Sequence, residues 1–183
     1  GEIMFGLNMV VHKGKTIFVG DTSVHEYPTS EQMAEIAISA ARVVRLFGFE
    51  PKVAFVSHST FGQPLTSRTK HIRNAVDLLK EKKVDFEFDG DMQPDVALNS
   101  EYEELYPFSK IVGKANILIM PGQHSAAISY KMMKTLGDTK VIGPLLIGIG
   151  LPIEIAPLRS STSDLINLAS IAAYSADIID YKK

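Results

Sequence analysis

Residues 53–79, VAFVSHSTFGQPLTSRTKHIRNAVDLL, predict a strand, a loop and a helix in succession. The run Val53–Val56 is short, apolar and rich in β-branched side chains, which is typical of a buried strand. Polar and turn-forming residues follow it. A helix is predicted to begin near Thr66 or Ser67, because apolar residues then recur at helical spacing: Ile72, Val76, Leu78 and Leu79. Together these features form one βα unit.

The chain before this unit predicts a hairpin and a covering helix. Two apolar stretches, Ile3–Val11 and Thr16–Val19, are separated by turn-forming residues, which indicates two antiparallel strands. Thr29 and Gln32 have the spacing of a capping box, so a helix is predicted to begin there. Its apolar face continues until Gly48.

The chain after residue 79 repeats the alternation. Strands are predicted over 84–88, 117–120, 141–149 and 153–155, and helices over 96–105, 128–136 and from Ser161 onward. The segment DGDMQPD between the first of these strands and the next helix is predicted to be a turn-rich loop. We therefore predict one α/β domain over 1–183, a three-layer αβα fold whose mostly parallel sheet carries an N-terminal antiparallel hairpin. Ligands of such sheets bind at the carboxyl ends of the strands.

Composition excludes several classes of protein. The 183 residues contain 19 Lys and Arg, 21 Asp and Glu, and no cysteine. The balanced charge argues against a nucleic-acid partner, and the absence of cysteine excludes disulfides and thiolate metal sites. No apolar run reaches the ~20 residues of a membrane span, so we expect a cytoplasmic protein without membrane contact. None of the five histidines is interpreted as pairing with an acid at i,i+4, and no metal site is predicted.

The loop after Val56 is the first candidate ligand site. Ser57, Ser59 and Thr60 supply hydroxyls that suit a phosphate or carbonyl oxygen. The alternative is ordinary turn chemistry, which uses the same residue types. A Ser-His-Asp triad is not supported, because no nucleophile elbow is present.

Three other polar segments are weaker candidates. Asp89, Asp91 and Asp95 lack the spacing of a calcium loop, so a strand end with an Asx turn is favoured. The turn 121–125 precedes a helix, where unpaired amides attract anions. Asp164 completes a predicted capping box with Ser161, and Arg159 is the cation nearest to it. Together, these residues predict a site that binds a small anionic ligand. They do not indicate that a reaction takes place there.

Five strings, taken in order, carry a resemblance to a known family: GKTIFVGDTSVHEYPTSEQMAEIAI, KVAFVSHSTFG, FDGDMQPDVAL, KIVGKANILIMP and VIGPLLIGIGLPIEI. They resemble the phosphate acetyltransferase family, and specifically the phosphate acetyltransferase-like C-terminal domain of large bacterial NADP-dependent malic enzymes. The resemblance implies a fold related to isocitrate and isopropylmalate dehydrogenases, coenzyme A in a cleft between two subdomains, and a homodimer or higher oligomer. It further implies that this chain is the C-terminal portion of that domain.

The resemblance also shows departures from the active acetyltransferases. Their Ser-Arg pair would fall on Pro157 and Leu158, while their Asp is retained as Asp164. Phe61 replaces a lysine of the active acetyltransferases. Two further residues, His124 and Ala127, also differ from those enzymes, and both lie in the turn after the third parallel strand. Acyl transfer depends on charged donors placed against developing charge, and each lost donor costs about 2.7–4 kcal/mol. The departures imply binding without turnover.

Three functions remain as expectations. The first is a non-catalytic, acetyl-CoA-sensing regulatory domain, with ligand contacts expected at Ser57, Ser59, Thr60, Arg159 and Asp164. The second is an active phosphate acetyltransferase that uses Arg159 in a reshaped loop. The third is an architectural dimerisation module. Under the first, this chain binds no cofactor itself, and NADP and a divalent metal belong to the malic and nucleotide-binding domains of the same polypeptide.

Overall fold

The computed structural model describes residues 2–178 and alternates strands with helices. The strands are β1 Phe5–His12, β2 Lys15–Gly20, β3 Lys52–Val56, β4 Glu87–Met92, β5 Ile117–Ile119 and β6 Thr139–Ile147. The helices are α1 Ser30–Leu46, α2 Ser67–Lys82, α3 Pro94–Leu98, α4 Gln123–Leu136 and α5 Thr162–Ile178, and a 3₁₀ turn spans Ser100–Tyr102.

The six strands form one sheet in the order β4-β3-β5-β2-β1-β6. Neighbours from β4 to β2 pair in parallel, whereas β1 pairs antiparallel with both β2 and β6. Only β1 is therefore antiparallel to the other five strands. The predicted three-layer α/β fold, with its mostly parallel sheet and N-terminal hairpin, is confirmed.

Two apolar clusters, one on each face of the sheet, hold the layers together. The first packs α1 and α2 on the sheet and includes Phe18, Met33 and Leu79. The second packs α3 and α4 on the opposite face and includes Val19, Ala97 and Ala126. Phe18 and Val19 point to opposite faces because successive side chains of a strand alternate.

The predicted starts of α1 and α2 are confirmed by their caps. At α1, the Gln32 amide donates to Thr29 Oγ1 at 3.2 Å and the Thr29 amide donates to Gln32 Oε1 at 2.8 Å. Thr66 caps α2 in the same reciprocal manner with Thr69. These bonds satisfy amides that the first helical turn leaves without partners.

Several predicted elements differ from the structure. The helix expected over 128–136 is α4, which already begins at Gln123, inside the segment expected to be a turn. The strand expected over 84–88 is β4, which begins at Glu87, because α2 continues to Lys82 and the chain needs several residues to return to the sheet. Consequently, Asp89 and Asp91 lie inside a strand. The helix expected over 96–105 is two short pieces, α3 and the 3₁₀ turn, divided where the Asn99 side chain caps the second piece. The strand expected over 153–155 is reduced to one bridge, between Leu145 and Glu154.

Glu154 stands out in the segment between β6 and α5, because its carboxyl is enclosed by apolar side chains. It borders a small crevice between α1, β6 and α5, and Oε2 is buried without a hydrogen-bond partner. Burial raises the pKa of Glu154 to about 7, against an opposing hydrogen bond from the Leu146 backbone. Below about pH 7, the folded protein therefore favours the neutral carboxyl of Glu154.

We predict a pH dependence of stability from this group. Because the pKa in the unfolded chain is the ordinary 4.5, the stabilising effect is complete below about pH 4.5 and is lost as pH rises through about 7. Glu154→Gln, a neutral isostere, removes this loss. Urea unfolding between pH 5 and 8 should show a steeper fall for wild type than for Glu154→Gln. The exposed Glu104→Gln variant is the control, and parallel curves for wild type and Glu154→Gln would contradict the prediction.

Candidate functional site

The carboxyl ends of four parallel strands meet at one edge of the sheet. β4, β3, β5 and β2 are adjacent in that order, so the segments that follow them lie side by side. These segments include residues 57–66 after β3 and residues 21–29 after β2. The turn before α4 lies between these two loops. This edge is where parallel α/β sheets bind ligands.

Ser57, Ser59 and Thr60 lie together in the β3–α2 loop, and all three are buried. The Ser59 hydroxyl donates to Asp91, and the Ser59 amide donates to Ser57 Oγ at 3.3 Å. Thr60 Oγ1 accepts from the Gln93 amide at 3.3 Å. The hydroxyls therefore hold the loop against β4, and their contact with a ligand stays a prediction.

Asp91 organises this loop, a role that the sequence analysis did not assign to it. Its side chain is fully buried in β4 and accepts from the Ser59 hydroxyl and, at 3.0 Å, from the Gly62 amide. Arg73 of α2 lies 3.8 Å away and supplies a countercharge. Asp89 bonds separately to the Lys110 amide at 2.7 Å, and Asp95 bonds to the Tyr102 hydroxyl. The three acids thus do not converge on a shared site.

Phe61 has an apolar role in the same loop. Its ring packs against Tyr106 and Phe108, with centroid separations of 5.4 Å and 4.9 Å. The position that the resemblance assigns to a lysine therefore joins an aromatic cluster. It brings no positive charge to the edge of the sheet.

Asp21 organises the neighbouring β2–α1 loop and was missed by the sequence analysis. Its side chain is 1% exposed. Oδ1 accepts from the amides of Gly6 and Ser23 at 2.8 Å each, and the Val24 amide reaches both oxygens at 3.2 Å. Oδ2 accepts from the His25 amide at 2.7 Å. The carboxylate thus satisfies the backbone of a whole turn.

His25 completes this arrangement through its ring. Nδ1 lies 2.7 Å from Asp21 Oδ2. The interpretation that no histidine pairs with an acid at i,i+4 is therefore wrong. The four-residue spacing of Asp21 and His25 was the signal available in the sequence.

The β2–α1 loop contacts the start of α4 directly. The Gln123 amide donates to the His25 carbonyl at 3.1 Å, and His124 Nε2 lies 3.1 Å from Glu26 Oε1. A Cβ at Gly122 would lie 2.3 Å from the Glu26 carbonyl oxygen, so only glycine permits this approach. The two segments therefore form one continuous surface.

Asp164 and Arg159 lie elsewhere. Asp164 caps α5, accepting from the Ser161 amide at 2.9 Å and the Ser161 hydroxyl at 2.8 Å, and these bonds lower its pKa. It borders a small crevice beside β6 with Lys134. Arg159 is exposed on the preceding segment. Three strands separate β6 from β3, about 19 Å at ordinary strand spacing, so this chain does not bring Asp164 to the Ser57 loop.

Two kinds of feature are absent from residues 2–178. No group of three or more His, Asp or Glu side chains is arranged to hold a metal ion. No helix has the length and apolar character needed to cross a bilayer.

Comparison with known proteins agrees with the resemblance drawn from the five strings. The family described as Phosphate acetyl/butaryl transferase matches residues 1–173. The chain belongs to this family. A phosphate acetyltransferase of Clostridium acetobutylicum is 35% identical over 162 residues, which cover 87% of this chain and 49% of that protein. The EutD phosphotransacetylase from Staphylococcus aureus superposes with a TM-score of 0.87 at 30% identity, covering 95% of this chain and 54% of that chain.

Much longer proteins contain the same domain. An NADP-dependent malic enzyme of Rhizobium meliloti is 47% identical over 176 residues, which cover 96% of this chain and 23% of that enzyme. The chain therefore spans about a quarter of the malic enzyme and about half of the acetyltransferases. It is a phosphate acetyltransferase-like domain of the kind found in multidomain malic enzymes.

Proposed function

We propose that this chain is the C-terminal portion of the phosphate acetyltransferase-like domain of a cytoplasmic NADP-dependent malic enzyme, where it binds acetyl-CoA without transferring the acetyl group. The observation that carries the proposal is the absence of cations where the resemblance places them. Phe61 is packed among aromatic rings, Pro157 and Leu158 stand where a Ser-Arg pair is expected, and Leu158 is fully exposed. Without charged donors at these positions, the negative charge that develops in acyl transfer is not stabilised there.

The proposed ligand is acetyl-CoA or a related small anion. Its contacts come from two groups: Ser57, Ser59 and Thr60 at the β3 end, and Arg159 and Asp164 beyond β6. Because three strands lie between the groups, one ligand touches both only if it is elongated or if another part of the assembly closes the gap. Arg159 forms no ion pair among residues 2–178 and supplies the positive charge that an anion requires.

The proposed partners are the malic and nucleotide-binding domains of the same polypeptide and a second copy of the chain. The surface around α5 supports them. Leu158, Leu165 and Ile166 are exposed there, beside an apolar approach segment that includes Leu151 and Ile153. A helix with apolar residues around its circumference is normally covered on more than one side. We propose that another domain or the second copy covers it.

In this proposal, the redox chemistry belongs to the other domains. They hold NADP and a divalent metal and oxidatively decarboxylate malate to pyruvate. Binding of acetyl-CoA here changes malate turnover there. If acetyl-CoA also changes the affinity for malate or NADP, thermodynamic linkage requires that ligand to change the affinity for acetyl-CoA by the same factor.

We predict three results for the full-length polypeptide. Acetyl-CoA should change the binding or turnover of malate by about fivefold or more, the lower range of coupling between distinct sites. A coupled assay with acetyl phosphate and coenzyme A should detect no acetyl-CoA. Arg159→Ala should weaken acetyl-CoA binding, measured by calorimetry, and Arg68→Ala, which alters an exposed arginine on α2, is the control.

Each contrary outcome selects another function. Acetyl transfer that Arg159→Ala abolishes would establish an active phosphate acetyltransferase. That alternative is favoured only by the retention of Asp164 in its helical cap. If acetyl-CoA changes neither thermal stability nor malate turnover, the domain is an architectural dimerisation module.

A further inference from the structure

A cavity of about 670 Å³ opens at the end of the sheet opposite the candidate site. It is lined by the last residues of β1, the first residues of β2, residues 114–116 before β5, and the last turn of α4. These segments meet at the amino ends of β2 and β5, whereas the Ser57 loop lies at the carboxyl ends of the parallel strands. None of the proposed acetyl-CoA contacts lines the cavity, so an inference about it is independent of the proposed function.

The cavity forms because the helical layer on this face of the sheet is short. The opposite face is covered by α1 and α2, which have 17 and 16 residues. Here the cover consists of α3, with five residues, and α4, with 14 residues. The two helices end at Leu98 and Leu136, and both side chains border the gap that remains over β2. Its volume lies within the range of about 300–1,000 Å³ that is typical of small-molecule sites.

The register of the hairpin gives the cavity an apolar floor and a basic edge. Val10 of β1 pairs with Ile17 of β2, and His12 pairs with Lys15 two residues further along each strand. Residues two apart in a strand point to the same face. The apolar pair therefore lies deeper in the sheet, and the basic pair lies at its end. Ala115, which is buried, continues the floor beside β2.

Two polar side chains of the lining already have partners within the protein. His12 Nδ1 lies 2.9 Å from Thr139 Oγ1. The Asn116 carboxamide accepts from the Lys52 amide at 2.8 Å and donates to the Glu50 carbonyl at 2.7 Å. These contacts occupy groups that a polar ligand would otherwise use. The interior therefore suits a ligand whose body is apolar.

The exposed part of the lining is positively charged. Lys15 and Lys114 are both exposed, and neither forms an ion pair among residues 2–178. No Asp or Glu from this part of the chain lines the cavity. Leu136 also belongs to the lining and is 80% exposed, so apolar surface adjoins the two charges. The arrangement is complementary to a molecule with an apolar chain and one anionic end.

We propose that this cavity binds a free fatty acid, with its hydrocarbon chain over Val10 and Ile17 and its carboxylate beside Lys15 and Lys114. Burial of the chain supplies most of the affinity, because each buried methylene group tightens binding about fourfold. The two lysines favour a carboxylate over an uncharged head group. Since both lysines are exposed, this preference is about fivefold.

Calorimetry on the full-length polypeptide tests the inference with octanoate, decanoate and dodecanoate below their micellar concentrations. Each step adds two methylene groups and should tighten binding by about tenfold. Decanol, which has the same chain without the charge, should bind about fivefold more weakly than decanoate. Absence of saturable binding would overturn the inference and would indicate that another segment of the polypeptide or a second copy fills the cavity.

Variants locate the binding in this cavity. Leu136→Ala should weaken decanoate binding about fourfold, the contribution of one methylene group. Ile128→Ala is the matched control, because Ile128 is an exposed apolar residue of the same helix that does not line the cavity. Lys15→Gln combined with Lys114→Gln should abolish the preference for decanoate over decanol, whereas Lys70→Gln on α2 should retain it. Equal losses of affinity in Leu136→Ala and Ile128→Ala would overturn the inference.

Methyl resonances of the wild-type polypeptide provide a second measurement that does not depend on how a variant folds. Decanoate should shift the resonance of the Met133 methyl group, which lines the cavity. The Met33 methyl group, which is buried on the opposite face of the sheet, should shift much less. A Met133 shift no larger than that of Met33 would overturn the inference.

Discussion

Asp21→Ala is expected to lower the free energy of unfolding by about 4 kcal/mol. The substitution removes the acceptor of four backbone amides, those of Gly6, Ser23, Val24 and His25, and of the His25 ring. Water replaces only part of these bonds, because the carboxylate site is almost completely buried. The Gly6 amide belongs to β1, so the effect extends from the loop into the sheet.

Urea unfolding followed by circular dichroism measures this loss. Asp138→Ala is the matched control, because Asp138 is an exposed acid in the turn before β6. Its free energy of unfolding should stay within about 0.5 kcal/mol of wild type. A loss below about 1 kcal/mol for Asp21→Ala would show that the loop hydrogen bonds do not support the fold.

Asp91→Ala is expected to cost about 3 kcal/mol and to loosen the Ser57 loop. The Ser59 hydroxyl and the Gly62 amide would lose their buried acceptor, and Arg73 would lose its countercharge. Asp91→Ala removes hydrogen bonds in a different part of the molecule from Asp21→Ala, because the bonds of Asp91 join β4 to the loop that follows β3.

Hydrogen exchange, together with urea unfolding, distinguishes a local effect from a global one. Amides of residues 57–62 should exchange faster in Asp91→Ala by a larger factor than amides of α1. Asp95→Ala, at an exposed acid four residues later, should alter neither measurement appreciably. Uniform acceleration throughout the chain would instead indicate that Asp91 supports the whole sheet and has no particular role in the loop.

The sequence predicted the fold well because its signals are local. The capping box of Thr29 and Gln32 and the apolar spacing of α2 depend on residues within a few positions of one another. Strand boundaries were less accurate where local and tertiary requirements compete. β4 begins three residues later than expected and contains the acids that its sequence places in a loop. Burial of those acids is tolerated because each accepts hydrogen bonds.

The candidate site was predicted only in part. Ser57, Ser59 and Thr60 were located correctly in the loop after β3, but the sequence did not show that their hydroxyls face β4 and its Asp91. Grouping them with Arg159 and Asp164 came from the resemblance. In this chain, the strand order places the two groups on opposite sides of β5, β2 and β1.

The sequence alone determined the order of strands and helices, the helix caps and the family, because periodicity, capping and ordered strings are properties of nearby residues. Only the tertiary structure decided which polar groups meet. Asp21 reaches an amide 15 positions earlier and Asp91 reaches a hydroxyl 32 positions earlier, and in each contact the two residues lie in or shortly after neighbouring strands. A buried carboxylate is stable only where donors surround it, and the strand order of the folded sheet supplies those donors.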